Sequence, residues 1–298
     1  MEKIGFIGVG LMGHGMAWNL VTKKYPLVFK AHRRRDHLAD LLAAGAVEVD
    51  TLRELSARSD IVFICVTGSP QVEANVYGTE GLLAHARKGQ LVVDCSTSEP
   101  QSTARIRADF AERGVEFVDA PLARTPKEAE EGRLNTMVGA NFATFERLQP
   151  VMKAFCENVI HVGPPGHGHV IKLINNFLAM AIAASTAEAF AAAARAGVSL
   201  KKLFEVVSAG GVNSGVFQML AGGAVEGDLA RMKFTIGNGR KDMRYYTHMT
   251  EELGTPSHLG EAVHQALVQA GALGLSDKFM PALIEAQERL NDTQIVPR

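Results

Sequence analysis

Near the amino terminus the chain reads Ile4-Gly5-Phe6-Ile7-Gly8-Val9-Gly10-Leu11-Met12-Gly13-His14-Gly15-Met16, an apolar run that breaks at spaced glycines and resumes with helical periodicity. This puts a G-x-G-x-x-G turn between a first strand and a first helix, where a doubly wound sheet binds a dinucleotide. Gly8 permits the tight turn, Gly10 leaves the backbone open to a pyrophosphate, and Gly13 lets the helix lie close on the strand with its positive end toward the phosphates. Leu11 and Met12 belong to the same cofactor-binding turn. An NAD-selective site carries an acidic residue near the end of the second strand. Here that region reads Lys30-Ala31-His32-Arg33-Arg34-Arg35, and the first carboxylate is Asp36. His32, Arg33 and Arg34 suit a 2′-phosphate through charge-assisted hydrogen bonds, so the expected cofactor is NADP in preference to NAD.

Outward from this turn, β-branched runs at 4–7, 27–29, 61–66, 91–95, 116–119 and 136–138 alternate with helical patterns at 13–23, 100–113 and 141–155. Such alternation predicts βαβ units and a mainly parallel sheet. The cluster Gly163-Pro164-Pro165-Gly166-His167-Gly168 interrupts it, and beyond this point the strand-like runs cease. Helical patterns then follow at 169–196, 200–208, 236–253, 257–270 and 280–290. The expected fold is therefore α/β: a Rossmann-type doubly wound domain over residues 1–163, followed by an all-helical domain over 164–298, linked by a long helix. The alanine-rich stretch 177–196 is interrupted by Glu188 and Arg195, which predicts a buried helix rather than a membrane span.

The composition narrows the function. With 298 residues, 47% hydrophobic, 21% charged and a net charge of −1, the chain reads as a soluble globular protein with no basic field for nucleic acid. Cys65, Cys95 and Cys156 are odd in number and far apart, as reduced thiols in the cytoplasm would be, and the first residues do not resemble a signal peptide. His161, His167 and His169 flank the glycine-proline cluster with no cysteine nearby, so they read as loop residues and not as a metal site. No tyrosine is followed four residues later by lysine, which removes short-chain dehydrogenase chemistry.

Lys172, Asn175 and Asn176 stand just past the expected boundary, and spacings of three and four put both amides near the lysine's side of a helix. In a cleft between domains, a lysine partly withdrawn from water has a lowered pKa and can exchange a proton with an alcohol oxygen while hydride moves. An amide one turn on can hold the lysine and a substrate hydroxyl in line.

These segments together carry a resemblance. The opening Gly8 to Leu20 stretch, Asp119-Ala120-Pro121 with Ala129, Gly132 and Leu134 behind it, the Gly166-x-Gly168-x-x-x-Lys172-x-x-Asn175-Asn176 run, and Lys241-Asp242 resemble four successive motifs of the β-hydroxyacid dehydrogenase family. The resemblance implies oligomerisation through the helical part, as a homodimer or homotetramer. It also implies Lys172 as general acid/base, Asn176 as its partner in placing the substrate, and Lys241 near cofactor and substrate. Val66, Thr67 and Thr97 should line the nicotinamide side.

One departure matters. Most of the family has a serine-glycine-glycine turn after the Asp-Ala-Pro segment, and here the chain has Ala123-Arg124-Thr125. Arg124 can clamp an oxyanion and Thr125 can donate a hydroxyl, which suits a carboxylate, a sulfonate or a phosphonate. The plainer alternative for Arg124 is a surface loop arginine contacting Glu128 or Glu130. A glycine-arginine-threonine turn is what sulfolactaldehyde reductases resemble at this place, although Ala179 and the basic end of the second strand differ from them. The expected activity is thus interconversion of a small anionic 3-hydroxy acid and its semialdehyde or ketone. The alternatives are a sulfonate-specific reductase, an imine reductase, and a dinucleotide-binding scaffold without turnover.

Overall fold

The computed structural model describes residues 1–31 and 38–297. The apolar runs form β1 (Ile4–Ile7), β2 (Leu27–Lys30), β3 (Val47–Glu48), β4 (Ile61–Ile64), β5 (Leu91–Asp94), β6 (Glu116–Asp119), β7 (Leu122–Ala123), β8 (Leu134–Gly139) and β9 (Cys156–Gly163). Every residue of β1, β4 and β5 is buried, as strands covered by helices on both faces must be. The order across the sheet is β3-β2-β1-β4-β5-β6-β8-β7, with β9 on β8. The pairs from β3 to β6 are parallel, β8 runs antiparallel to β6 and β7, and β9 is parallel to β8. Strand order reverses between β1 and β4, so a crevice opens there beyond the carboxyl ends of the strands.

Between the strands run α1 (Gly13–Thr22), α2 (Ala39–Ala43), α3 (Leu52–Ala57), α4 (Ser69–Tyr77), α5 (Leu82–His85), α6 (Pro100–Ala111), α7 (Pro126–Glu130) and α8 (Phe142–Met152). Alternate strand residues feed two cores. Phe6, Phe29 and Phe63 pack with Met16 and Leu20 of α1, Ala129 of α7 and Leu148 of α8, while Ile7, Val28, Val62 and Ile64 pack with Leu55, Val72 and Phe110. In register, Phe6 faces both Phe29 and Phe63, and Phe155 meets Phe63 edge-on at 5.6 Å. Local signals set the helix starts: Asn141 accepts from the Thr144 amide at α8, and Pro100 opens α6.

The later helices are α9 (His167–Arg195), α10 (Leu200–Ala209), α11 (Gly215–Val225), α12 (Ile236–Glu252), α13 (His258–Ala272) and α14 (Leu283–Asn291). By contact the chain forms two compact units, Met1–Lys172 and Leu173–Arg298, and α9 runs through the division. Met180, Ala183, Ala187 and Phe190 recur at helical spacing and pack in the second unit with Phe217, Met243, Leu267 and Ile284. The architecture is a Rossmann-type doubly wound domain followed by a helical one.

Three local readings are corrected. The helix ends at Met152, short of 155, and after a turn the chain forms β9 from Cys156, where Val159 and its neighbours complete the ladder on β8. Helix α11 arises where glycines hide the periodicity, with Phe217, Leu220, Ala221 and Ala224 on its buried face. The alanine-rich helix is buried on one side only, and Ile171, Ile174 and Leu178 remain exposed. Among the described residues α9 is the one helix long and apolar enough to cross a membrane, and somewhat under half of its most apolar stretch is buried in the fold.

Candidate active site

The glycine turn shows a separate steric need at each position. Gly8 has φ +96°, a conformation that strains any L residue, and a Cβ there would lie 2.2 Å from the Cys65 carbonyl oxygen. A Cβ on Gly13 would stand 2.0 Å from the Gly8 carbonyl oxygen, whereas one on Gly10 would meet nothing within 4 Å. Gly10 thus borders open space, a cleft of about 790 Å³. Its walls are Gly8, Gly10, Leu11 and His14 after β1, Lys30 and Ala31 at the end of β2, Val66 and Thr67 after β4, and Pro126 and Glu130 of α7. Met12 and Gly13 hold the turn from behind, Met12 flanking the first turn of α1 without a side-chain cap. His32, Arg33 and Arg34 lie outside the described residues.

The loops after β4 and β5 are tied together. Ser96 donates its amide to Asp94 and accepts from the Val66 amide at 3.0 Å, and the Ser98 hydroxyl donates to Asp94 at 2.8 Å. Thr97 lies half-buried between the two serines.

Ala123, Arg124 and Thr125 form the turn from β7 to α7. Arg124 adopts φ +82°, the left-handed region that favours glycine. Its guanidinium pairs with Glu157 on β9 and donates to the Arg133 carbonyl oxygen, so its partner is neither Glu128 nor Glu130. Thr125 gives both its amide, at 3.0 Å, and its hydroxyl to the Glu128 carboxylate. The Thr125 hydroxyl holds the Glu128 carboxyl below its ordinary pKa, helped by the amide and against the weaker pull of burial.

At the start of α9 a buried polar cluster anchors the helix. Asp119, the acid of the Asp-Ala-Pro segment, accepts from the Gly166 amide at 2.6 Å and the His169 amide at 2.9 Å. Burial raises the pKa of Asp119, partly offset by the nearby His169 ring and these amides. Gly139 and Gly168 are required here, since a Cβ on either would fall within 3 Å of Asp119. His169 is fully buried, with Nδ1 2.7 Å from the Thr103 hydroxyl and Nε2 3.7 Å from Asp94. The reading of three loop histidines is therefore corrected: His161 lies on β9, while His167 and His169 lie on α9. Lys172 follows one turn later, half-buried.

In the second unit, Asn176 is buried and donates from Nδ2 to Asp242 at 2.6 Å, and Asn175, which is exposed, donates from Nδ2 to the side-chain oxygen Oδ1 of Asn176 at 3.3 Å. Lys241 stands 2.9 Å from the other oxygen of Asp242 and 5.3 Å from the centre of the Tyr245 ring. The Asp242 carboxylate thus fixes the Asn176 amide, with its nitrogen toward the acid and its oxygen turned away.

Residues 3–163 match the NAD binding domain of 6-phosphogluconate dehydrogenase, and residues 166–286 match the NAD-binding region of NADP-dependent 3-hydroxyisobutyrate dehydrogenase. The 2-(hydroxymethyl)glutarate dehydrogenase of Eubacterium barkeri is 31% identical over 98% of this chain and 97% of its own length. The chain belongs to the β-hydroxyacid dehydrogenase family. It is an NAD(P)-dependent oxidoreductase of that family. Another relative, the 3-sulfolactaldehyde reductase of Escherichia coli, is 29% identical over 96% of this chain and 95% of its own. The 3-hydroxyisobutyrate dehydrogenase of Salmonella typhimurium superposes with a TM-score of 0.83 at 27% identity, covering 96% and 99% of the two chains.

The turn of this β-hydroxyacid dehydrogenase fits a nicotinamide dinucleotide. A Cβ on Gly10 would project into the cleft, so the missing side chain is what leaves the cradle open. Two polar residues of the site have no role assigned from the sequence alone. Asp242 accepts from Asn176, 66 residues away, and His169 is turned inward on Asp94 and Thr103. For Asp242, the pairing of Lys241 with an acid was the available signal.

Proposed function

We propose that this protein is an NADP-preferring oxidoreductase that interconverts a small anionic 3-hydroxy acid and its semialdehyde or ketone. The single observation that carries the reading is Asn176: its amide is held by the buried Asp242 carboxylate, one helical turn after Lys172 on the same helix. Bound nicotinamide dinucleotide supplies or accepts the hydride. Lys172 donates the proton to the carbonyl oxygen in reduction and takes it back in oxidation. Asn176, with one Nδ2 hydrogen held by Asp242, offers the other to the substrate oxygen, with Asn175 and Lys241 beside it. Gly8, Gly10, Leu11, Met12 and Gly13 hold the dinucleotide, with Val66, Thr67 and Thr97 toward the nicotinamide and His32, Arg33 and Arg34 at the 2′-phosphate.

Ala123, Arg124 and Thr125 are the proposed anion-binding turn. A non-glycine residue at φ +82° costs about 1 kcal/mol. A side chain kept at that cost, whose Nη1 is held by Glu157 and the Arg133 carbonyl oxygen while Nη2 lies outside those bonds, favours recognition of an anionic group through its other guanidinium nitrogens. The same feature supports the second reading, a sulfonate substrate. The test is NADPH oxidation with small aldehydes matched in size and bearing a carboxylate, a sulfonate, a phosphonate or no anion, with NADH in parallel. Anionic aldehydes should be turned over fastest, and Arg124→Gly should raise their KM at least about tenfold with little change in kcat. A neutral aldehyde or cyclic imine preferred by the wild type would refute the reading.

We also place the protein in the cytoplasm as a homodimer or homotetramer. Its three cysteines are free thiols. Helix α10 buries none of its residues, and Val206 and Val212 are 71% and 75% exposed. Apolar surface of that kind suits a subunit contact. Sedimentation equilibrium should give a mass of at least two chains, and a monomer at micromolar concentration would exclude it.

A further inference from the structure

His14 occupies an unusual electrostatic position. It is the one titratable side chain of α1, in the first turn beyond the glycines, and its ring borders the cleft beside Gly10 and Leu11. Helix α7 packs closely on α1 because Gly15 has no side chain: a Cβ there would lie 2.4 Å from the Ala129 backbone. Asn19 reinforces the contact, donating to the Ala129 and Glu130 carbonyl oxygens at 3.1 Å. This packing brings Glu130 Oε1 to 2.8 Å from His14 Nδ1, while Asp40 of α2 approaches Nε2 at 3.1 Å. A neutral imidazole donates from one nitrogen and presents a lone pair at the other. Two carboxylates facing both nitrogens are satisfied together only by the imidazolium.

We propose that His14 is a positioning residue of the dinucleotide site: its imidazolium joins α1, α2 and α7 and offsets one of the two negative charges of Glu130 and Asp40, so the dinucleotide binds more tightly when the ring carries its proton. The inference rests on reading this cleft as the cofactor site. With the proton, the three side chains sum to −1, and without it to −2, beside a ligand whose pyrophosphate is itself negative. Burial lowers the His14 pKa, but hydrogen bonding to Glu130 and then to Asp40 outweighs it and leaves the pKa above its ordinary value. Asp40 shows the reciprocal effect: burial raises its pKa, and the His14 hydrogen bond, the Leu41 amide and the charge of His14 together more than reverse that. The charged groups facing the ring among the described residues are Glu130 and Asp40, and Lys30 lines the same cleft. Residues 32–37, which include three arginines, two histidines and Asp36, lie outside the described residues.

Linkage fixes the sign and the reciprocity. Because the folded pKa is raised, the contribution of His14 to folding is present in full below the ordinary histidine value and is lost as pH rises through the raised one. Likewise, if protonation tightens binding by some factor, binding raises the ring pKa by the logarithm of that factor.

The test titrates NADH, which lacks the titratable 2′-phosphate, into the wild type and His14→Gln by fluorescence between about pH 6 and 9, with NADPH in parallel. The His14 ring proton is followed by NMR with and without NADH. The wild-type Kd should weaken about three- to tenfold across this range, and this component should be missing in His14→Gln. NADH should raise the ring midpoint, and Asp40→Asn, which leaves the ring in place, should lower it. Equal pH dependence in both proteins, or a midpoint unmoved by NADH and by Asp40→Asn, would overturn the inference while leaving the cofactor site intact. No binding of NADH or NADPH by the wild type at any pH would overturn the cofactor reading itself and the inference with it.

Discussion

Replacing Lys172 with alanine is expected to lower kcat at least about a hundredfold, the usual range for loss of a general acid/base, while the Kd for NADPH stays within about twofold. The separation follows from position: the cleft beside Gly10 is lined by β1, β2, β4 and α7 segments, and Lys172 is not among its walls. Asp242→Ala gives the companion measurement. It leaves the buried Asn176 amide nitrogen without its acceptor, so stability should fall by about 1–3 kcal/mol. Turnover should also drop, but less than in Lys172→Ala, because Lys172, the proposed proton donor, remains. Single-turnover hydride transfer separates the two, since Lys172→Ala should slow that step itself. Unchanged kcat in Lys172→Ala would remove the lysine from the proposed role.

Legibility in the sequence followed the range of the interactions. The glycine turn can be read directly because its steric demands are local: Gly8 needs its own φ, and Gly13 meets a carbonyl five residues away. Strands β1, β4 and β5 are equally plain, since residues buried on two faces are apolar at nearly every position, whereas β3, with Val47 exposed, shows no such run. Helix α11 is harder, because Gly215, Gly222 and Gly223 dilute the pattern that Phe217 and Leu220 carry. Strand β9 follows a helix with no glycine or proline between them, and its exposed Glu157, Asn158 and Ile160 give it no apolar run. The partners of the site residues are the least legible. Arg124 finds Glu157 across the sheet at a separation of 33 residues, and His14 finds Glu130 at 116. Nothing in the local pattern selects Glu157 over the nearer Glu128, which instead takes both donors of Thr125. His169 misleads for a related reason: a Gly-Pro cluster precedes it, yet the helix begins at His167 because Asp119 receives the Gly166 and His169 amides.

The second large effect expected is a split between two glycines of the same turn. Gly10→Val should fold with nearly wild-type stability, because its Cβ meets nothing within 4 Å and its φ lies outside the left-handed region. The added side chain would stand in the cleft, where close approach to the pyrophosphate is required, so NADPH affinity should fall at least about a hundredfold. Gly13→Ala should behave differently. Its Cβ would lie 2.0 Å from the Gly8 carbonyl oxygen and 3.0 Å from the Phe6 ring, so the helix must move off the strand. Overpacking of this kind costs about 1–3 kcal/mol, and thermal unfolding should register it even without cofactor. Calorimetric titration with NADPH and thermal unfolding of each variant make the comparison. Tight binding by Gly10→Val would place the dinucleotide elsewhere than this cleft, and an unfolded Gly10→Val would show that Gly10 serves the fold. If Gly13→Ala matches the wild type in stability while losing affinity, then Gly13 acts on the ligand and not through the packing of α1 on β1.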